Sequence, residues 1–213
     1  MLAKGVNVPI GRLHVITDTR PGRDALSVVT AALEAGAPVV QVRGKNLTDR
    51  ELYELTCRVL NACARHGATC IVNDRLHVAL GAGAHGGHVG ADDLPVAVAR
   101  TVLGPASVLG ATARDPATAL AHEAAGASYL GVGPVYRTST KHDLPDPIGV
   151  TGVERIAAAV DIPIIAIAGV TADRIPELLE AGAHGVAVVG AISDAEDPHL
   201  ATEQLLLALE KHP

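Results

Sequence analysis

Phenylalanine and tryptophan are absent from the 213 residues, and the large aromatic rings reduce to Tyr53, Tyr129 and Tyr136. A chain so poor in rings does not build a stacking platform for single-stranded nucleic acid. An excess of positive charge is also missing: 17 Lys and Arg stand against 23 Asp and Glu, for a formal charge of −6 and a pI near 5.9. That argues against a broad basic face for DNA or RNA, while leaving room for a local cationic pocket that takes a small anion. Cysteine is scarce. Cys57, Cys63 and Cys70 are odd in number and have no CxxC spacing. They read as reduced, mostly buried thiols of a cytoplasmic protein rather than a disulfide framework. Long apolar runs are lacking: the stretch 162–170 is broken by Pro163 and Gly169 and is too short to span a bilayer. The N-terminal MLAKGVNVPIGRLHV has no long apolar core and no small-residue cleavage site, so no signal peptide is evident. Neither a membrane nor a nucleic acid is expected as a partner. A homo-oligomer is allowed, but no residue argues for one.

What is present is enough for one sizeable core: 48 % apolar residues, with 19 % charged. Short runs rich in Val and Ile at 13–17, 38–43, 69–73, 87–90, 107–111, 129–132, 164–168 and 185–189 read as strands covered on both faces. The fourth is diluted by Gly86 and Gly87. Amphipathic stretches at 23–35, 49–66, 96–103, 116–125, 153–160, 172–181 and 200–211 read as helices. The punctuation repeats: Leu33-Glu-Ala-Gly-Ala37, Ala124-Ala-Gly-Ala127 and Leu179-Glu-Ala-Gly-Ala183 each end a helix with Gly, where positive φ is needed, and lead into a strand. No linker divides the chain. The expectation is a single (β/α)8 barrel over 1–213, with 1–11 an N-terminal extension and an open doubly wound sheet as the alternative.

In a barrel the chemistry sits at the C-terminal ends of the strands. Strand 2 ends in Gln41-Val-Arg43-Gly-Lys45, which places two cations at the mouth, one a fork and one a mobile point charge. Strand 3 ends in Asn73-Asp74-Arg75, and strand 4 leads to Gly90-Ala-Asp92-Asp93. An acid from each of these neighbouring ends can share one hard cation such as Mg²⁺, or either can simply cap the next helix. Strand 6 runs into Gly133-Pro134-Val-Tyr136-Arg137-Thr138-Ser139-Thr140-Lys141 and a Pro- and Asp-bearing loop to Pro147. Its hydroxyls and Lys can donate to phosphate oxygens, and a loop of that length often serves as a lid. Strands 7 and 8 end at Gly169 and Gly190, where backbone N–H groups can approach a phosphate monoester. Two anion sites across one mouth suit the joining of two phosphorylated molecules with diphosphate as leaving group.

In these motifs the chain resembles the thiamine-phosphate synthase family. The resemblance runs from about Leu13 to the final helix. It rests on Gln41-Val-Arg-Gly-Lys45, Val72-Asn-Asp-Arg75, His88-Val-Gly-Ala-Asp-Asp-Leu94, Gly131-Val-Gly-Pro134, Thr138-Ser-Thr-Lys141, Pro147-Ile-Gly149, Ile167-Ala-Gly-Val170 and Val188-Val-Gly-Ala-Ile192. It implies that hydroxymethylpyrimidine diphosphate and hydroxyethylthiazole phosphate combine to give thiamine phosphate and diphosphate. It further implies Mg²⁺ on Asp74 and Asp93, and Arg43, Lys45, Asn73 and Lys141 on the diphosphate, with Arg43, Lys45 and Lys141 carrying the catalysis. Gln41 is implied on the pyrimidine side, the hydroxyls of Thr138 and Thr140 in the loop, and Gly169 with the Val189 and Gly190 backbone around the thiazole phosphate. The chain departs from the family pattern at several places: Gly44 for an acidic residue, His85-Gly-Gly-His88 for Asp-Gly-Val-His, and Ala91-Asp92 for Gln-Glu. Thr112 and Arg114 replace Ser and His after strand 5, Ala168 replaces a Gly, and Gly190 replaces a Ser. Thr112 keeps a hydroxyl for the pyrimidine or diphosphate. The rival readings are a thiazole tautomerase, which uses a strand-5 His where this chain has Arg114, a non-catalytic thiazole- or thiamine-phosphate binder, and another phosphate-binding barrel such as a sugar-phosphate epimerase. His85 and His88 read as structural rather than as a zinc pair. Tyr136 reads equally as pocket wall or core.

Overall fold

A computed structural model describes residues 10–138 and 145–211. Its eight strands are β1 (Leu13–Ile16), β2 (Val39–Val42), β3 (Thr69–Asn73), β4 (Gly86–Val89), β5 (Val108–Ala113), β6 (Tyr129–Val132), β7 (Ile164–Ile167) and β8 (Gly185–Val188). Each pairs in parallel with the next, and β1 pairs with β8 through His14 and Ala187, so the sheet closes. Closure removes the open doubly wound alternative. The helices are α1 (Ala25–Glu34), α2 (Asp49–His66), α3 (Leu76–Ala82), α4 (Val96–Leu103), α5 (Pro116–Ala124), α6 (Gly149–Ala157), α7 (Ile175–Glu180), α8 (Gly190–Ser193) and α9 (Pro198–Glu210), with a 3₁₀ turn at Ala172–Arg174 before α7. None of them is long and apolar enough to cross a membrane.

Local chemistry accounts for the element ends. Thr48 and Glu51 form a reciprocal capping box at α2: Thr48 Oγ1 accepts from Glu51 N at 3.3 Å, and the Glu51 carboxylate accepts from Thr48 N at 2.8 Å. Asp115 and Asp197 cap α5 and α9 just ahead of Pro116 and Pro198. The three repeated Gly stops stand at φ +98 (Gly36), +94 (Gly126) and +91 (Gly182), the left-handed geometry their position requires. Two elements were not legible as helices, α3 and the single turn α8. α5 ends close to its expected place, whereas α6 starts at Gly149 rather than 153. Strand β5 reaches Ala113, two residues further than expected, which puts Thr112 inside the sheet.

The barrel has two apolar layers. Leu13, Val15, Val40, Val42, Leu109, Leu130 and Val186 point outward to the helices, against Leu33, Leu52, Val59, Ile156 and Leu178. Ile16, Val39, Ile71, Val108, Tyr129, Ile165 and Ala187 point inward and fill the floor. Ile10 packs on this inner layer, and its carbonyl accepts from His184 Nε2 at 2.8 Å. Residues 1–9, most of the expected extension, lie outside the described residues.

The inner wall also carries polar groups, and glycine makes room for them. A Cβ at Gly110 would lie 2.2 Å from Tyr129 Cζ and 2.4 Å from His88 Nδ1. Tyr129 therefore crosses the barrel interior where strand β5 has no side chain. It meets His14 edge-on, with ring centres 5.0 Å apart.

Candidate functional site

Above this floor the strand ends enclose a cavity of about 600 Å³, inside the range of small-molecule sites. Of the residues singled out from sequence, Gln41, Arg43, Lys45, Asn73, Asp74, Asp93, Thr112, Thr138, Gly169, Val189 and Gly190 all line it. Thr140 and Lys141 lie outside the described residues.

The cationic side is built from β2, β3 and β4. Thr17 Oγ1 donates to the Arg43 carbonyl and accepts from the Arg43 N–H, both at 2.8 Å, and this fixes the point where β2 releases its basic end. Arg75 Nη1 donates to the Leu47 carbonyl at 2.7 Å and holds the turn after Lys45. Lys45 forms an ion pair with Asp74. Asp74 sits at φ +62, a left-handed conformation that Asp tolerates better than most side chains, and its N–H donates to the His88 carbonyl at 2.8 Å. It does not cap α3, whose N-terminus has no side-chain cap. Asp93 folds back so that its carboxylate accepts from Gly90 N at 2.7 Å, while Asp92 is exposed.

The Asp74 and Asp93 carboxylates lie close enough to share a hydrogen bond when one of them is protonated. Burial, reinforced by the Asp93 carboxylate, pushes Asp74 up, with Lys45 opposing. Burial also acts to raise Asp93, but the bonds from Asp74 and the Gly90 N–H outweigh it and hold Asp93 low. Two carboxylates in contact share one proton. Two carboxylates from neighbouring strand ends are also the oxygen donors that a hard divalent cation takes, so the donor set fits such an ion. Among the described residues no group of three or more His, Cys, Asp or Glu side chains comes together. An ion on Asp74 and Asp93 would therefore fill its shell with water and substrate oxygens.

The floor is polar but uncharged. Burial lowers His88 to about 4 and His14 to about 3, and it raises Tyr129. His88 Nδ1 meets Tyr129 Oη and His88 Nε2 meets Thr112 Oγ1, both at 3.0 Å, and Tyr129 is further bonded to the Gln41 side chain. A neutral imidazole has one donor and one acceptor, so Gln41, Tyr129, His88 and Thr112 form one orienting chain beneath the cavity. Reading the strands as buried on both faces did not reveal this chain. Alternation shows which residues share a face, but in such a strand it does not show which face turns inward. His85 Nδ1 accepts from Cys70 N at 2.9 Å and lies apart from the cavity wall.

The opposite side is made by β6, β7 and β8. Ala168 and Gly169 are both left-handed, at φ +79 and +68, and a Cβ on Gly169 would lie 2.6 Å from the Arg137 carbonyl oxygen. Val189, Gly190 and Ala191 complete the glycine-lined wall. The loop after β1 is clamped to this wall. Asp18, 5 % exposed, accepts from Arg20 through two guanidinium nitrogens and from Ser193 Oγ at 2.9 Å, while Arg20 and Arg23 both reach Asp194. The Arg20 guanidinium, more than the other bonds, holds Asp18 down at about 2. Arg137 and Arg174 also line the cavity and were not singled out from sequence. Tyr136 settles as wall support: it is half-buried, and its hydroxyl donates to Glu177. Arg114 is not part of the cavity wall, and its Nη2 donates to the Asp146 carbonyl at 2.9 Å.

A closed parallel barrel whose strand ends set a cationic side against a glycine-lined wall over a shared cavity has the architecture of a (β/α)8 enzyme. The family model described as thiamine monophosphate synthase matches residues 13–192, and the chain belongs to that family. It is 60 % identical to the thiamine-phosphate synthase of Salinispora arenicola over 94 % of this chain and 98 % of that one. It is 42 % identical to the thiamine-phosphate synthase of Moorella thermoacetica over 93 % and 95 %. Among solved structures, the thiamine phosphate pyrophosphorylase of Pyrococcus furiosus superposes with a TM-score of 0.86 at 37 % identity, over 94 % of this chain and 96 % of that one.

Proposed function

We propose that the chain joins hydroxymethylpyrimidine diphosphate to hydroxyethylthiazole phosphate, releasing diphosphate and thiamine phosphate, as a cytoplasmic transferase. The observation that carries this reading is the pairing of Asp74 and Asp93 from neighbouring strand ends beside Arg43 and Lys45, across one cavity from the Gly169–Gly190 wall. Arg43, Lys45 and Lys141 take up the charge that grows on the departing diphosphate, with Asn73, Thr138 and Thr140 as further donors. Mg²⁺, held by Asp74 and Asp93, would supply additional neutralisation of that group. Preorganised charge of this kind is worth several kcal/mol in the transition state. The pyrimidine lies against Gln41 and Thr112, which the His88–Tyr129 chain orients. The thiazole phosphate lies against the Gly169, Val189 and Gly190 backbone.

The carbon–oxygen bond to diphosphate breaks with its electron pair, leaving a pyrimidine-stabilised cation. The thiazole nitrogen lone pair then forms the new carbon–nitrogen bond. No proton moves, so no base is needed, in keeping with a floor whose His14 and His88 are neutral. The tautomerase reading, which needs a strand-5 imidazole, finds instead Arg114 outside the cavity wall.

The test is product formation from both substrates with Mg²⁺, with an Asp74→Ala, Asp93→Ala variant run alongside. Product that requires the cation and falls by at least a hundredfold in the variant supports the reading. Folded wild-type protein that binds thiazole phosphate and makes no product overturns it.

A further inference from the structure

Two arginines, Arg137 and Arg174, line the cavity on the side away from Lys45, and the second is held in place by its neighbours. Arg174 lies in the 3₁₀ turn before α7 and lines the cavity with Gly169, Val170 and Thr171. Its Nη1 donates to the Gly169 carbonyl at 2.5 Å, and its guanidinium carbon lies 4.3 Å from the centre of the Tyr136 ring. Tyr136 is itself anchored twice, by its hydroxyl on Glu177 and by its N–H on the Ala168 carbonyl at 3.1 Å. The guanidinium is thus held by one edge and one face. A guanidinium has five N–H donors, and among the described residues one is committed, to Gly169. Stacking uses the face and leaves the other edge donors for a ligand.

The nearby acids have other first partners. Glu177 is engaged by Tyr136, Asp194 by Arg20 and Arg23, and Asp173 foremost by Thr171, with Arg174 attracting it more weakly. Among the described residues no carboxylate lies within ion-pair distance of Arg174. A pre-oriented fork beside a glycine wall, with no carboxylate in ion-pair contact among the described residues, suits a phosphate dianion.

We propose that Arg174 is a specificity-determining residue that reads the phosphate of the thiazole substrate, so that the phosphorylated thiazole is selected over its free alcohol. The inference rests on the synthase reading of the two sides of the cavity. Calorimetric titration of hydroxyethylthiazole phosphate and of unphosphorylated hydroxyethylthiazole into the wild type, Arg174→Gln, Arg174→Lys and Tyr136→Phe tests it. The quantity read is the ratio of the two dissociation constants. Arg174→Gln is expected to shrink the preference for the phosphate by about tenfold or more, the worth of one charge-assisted fork. Arg174→Lys keeps the charge without the fork and should fall between. Tyr136→Phe keeps the ring but frees Glu177 to attract Arg174, and should shrink the ratio in the same direction as Arg174→Gln, by less. If both ligands weaken equally in Arg174→Gln, or if Arg174→Lys matches the wild type, Arg174 is a strut for Gly169 and the inference is overturned. A wild type without preference for the phosphate overturns the assignment of the glycine wall itself, before any variant is compared.

Discussion

Replacing Gly110 by Ala adds one methyl group at the point where the barrel floor has least room. The new Cβ would lie 2.2 Å from Tyr129 Cζ and 2.4 Å from both Tyr129 Oη and His88 Nδ1. Each of these distances must open by more than an ångström, and the ring has little freedom to yield. Tyr129 is 1 % exposed, packs on His14 on one side and is bonded to His88 at 3.0 Å on the other. Overpacking of this kind costs about 1–3 kcal/mol. Loss of the Tyr129–His88 bond leaves buried polar groups unpaired and adds about 1–3 kcal/mol. The sum, about 2–6 kcal/mol, is a large share of the 5–15 kcal/mol typical of a folded domain. Urea unfolding of Gly110→Ala should show a loss in that range, with Tm lower by roughly 5–20 °C for a chain of this size. Combining it with Tyr129→Leu, which removes the ring, should cost at least 1 kcal/mol less than the two changes added. A Gly110→Ala protein within 0.5 kcal/mol of the wild type would refute the packing described for the floor.

Three other outcomes follow from the site. Lys45→Met removes one of the charges facing the diphosphate and the partner of Asp74; kcat/KM for the pyrimidine diphosphate should fall by about 10²–10³, and an effect below fivefold contradicts the role given to Lys45. Gly169→Ala places a Cβ 2.6 Å from the Arg137 carbonyl oxygen in a backbone at φ +68, so the KM for thiazole phosphate should rise by at least tenfold in steady-state assays. Asp18, held at about 2 in the folded state against 3.8 when free, contributes about 2 kcal/mol at most, fully present above pH 3.8 and lost as pH falls through 2. The stability gap between wild type and Asp18→Asn should therefore shrink between pH 4 and 2, and a gap constant over that interval contradicts the Arg20–Asp18 clamp.

The sequence announced the barrel because each β/α unit repeats the same physics. A short Val- and Ile-rich run buries both faces, and a Gly closes each of three helices at positive φ. Even the Gly-diluted run at β4 proved to be a strand, since its neighbours need its lack of bulk: a Cβ on Gly86 would lie 1.8 Å from the Val108 carbonyl oxygen and one on Gly87 2.4 Å from Leu76 Cδ2. Helix α3 escaped because seven largely apolar residues with Gly81 inside have no visible polar face, and α8 because a single turn has no period. At the mouth, charged residues at strand ends were readable, and Gln41, Arg43, Lys45, Asn73, Asp74 and Asp93 do meet there. The choice between Asp92 and Asp93 was not legible in spacing alone. It depends on the turn that folds Asp93 back onto Gly90. Arg174 was missed because it follows Gly169 by five residues along the next turn, and only the Tyr136 stack brings it back over the cavity.

The reaction's most direct signature is the release of diphosphate in step with bond formation. Phosphorus NMR of the wild-type protein with both substrates and Mg²⁺ should show one diphosphate appear for each thiamine phosphate formed, and both should stop on chelation of the cation. Diphosphate released without thiamine phosphate, or product formed at an unchanged rate after chelation, would contradict it.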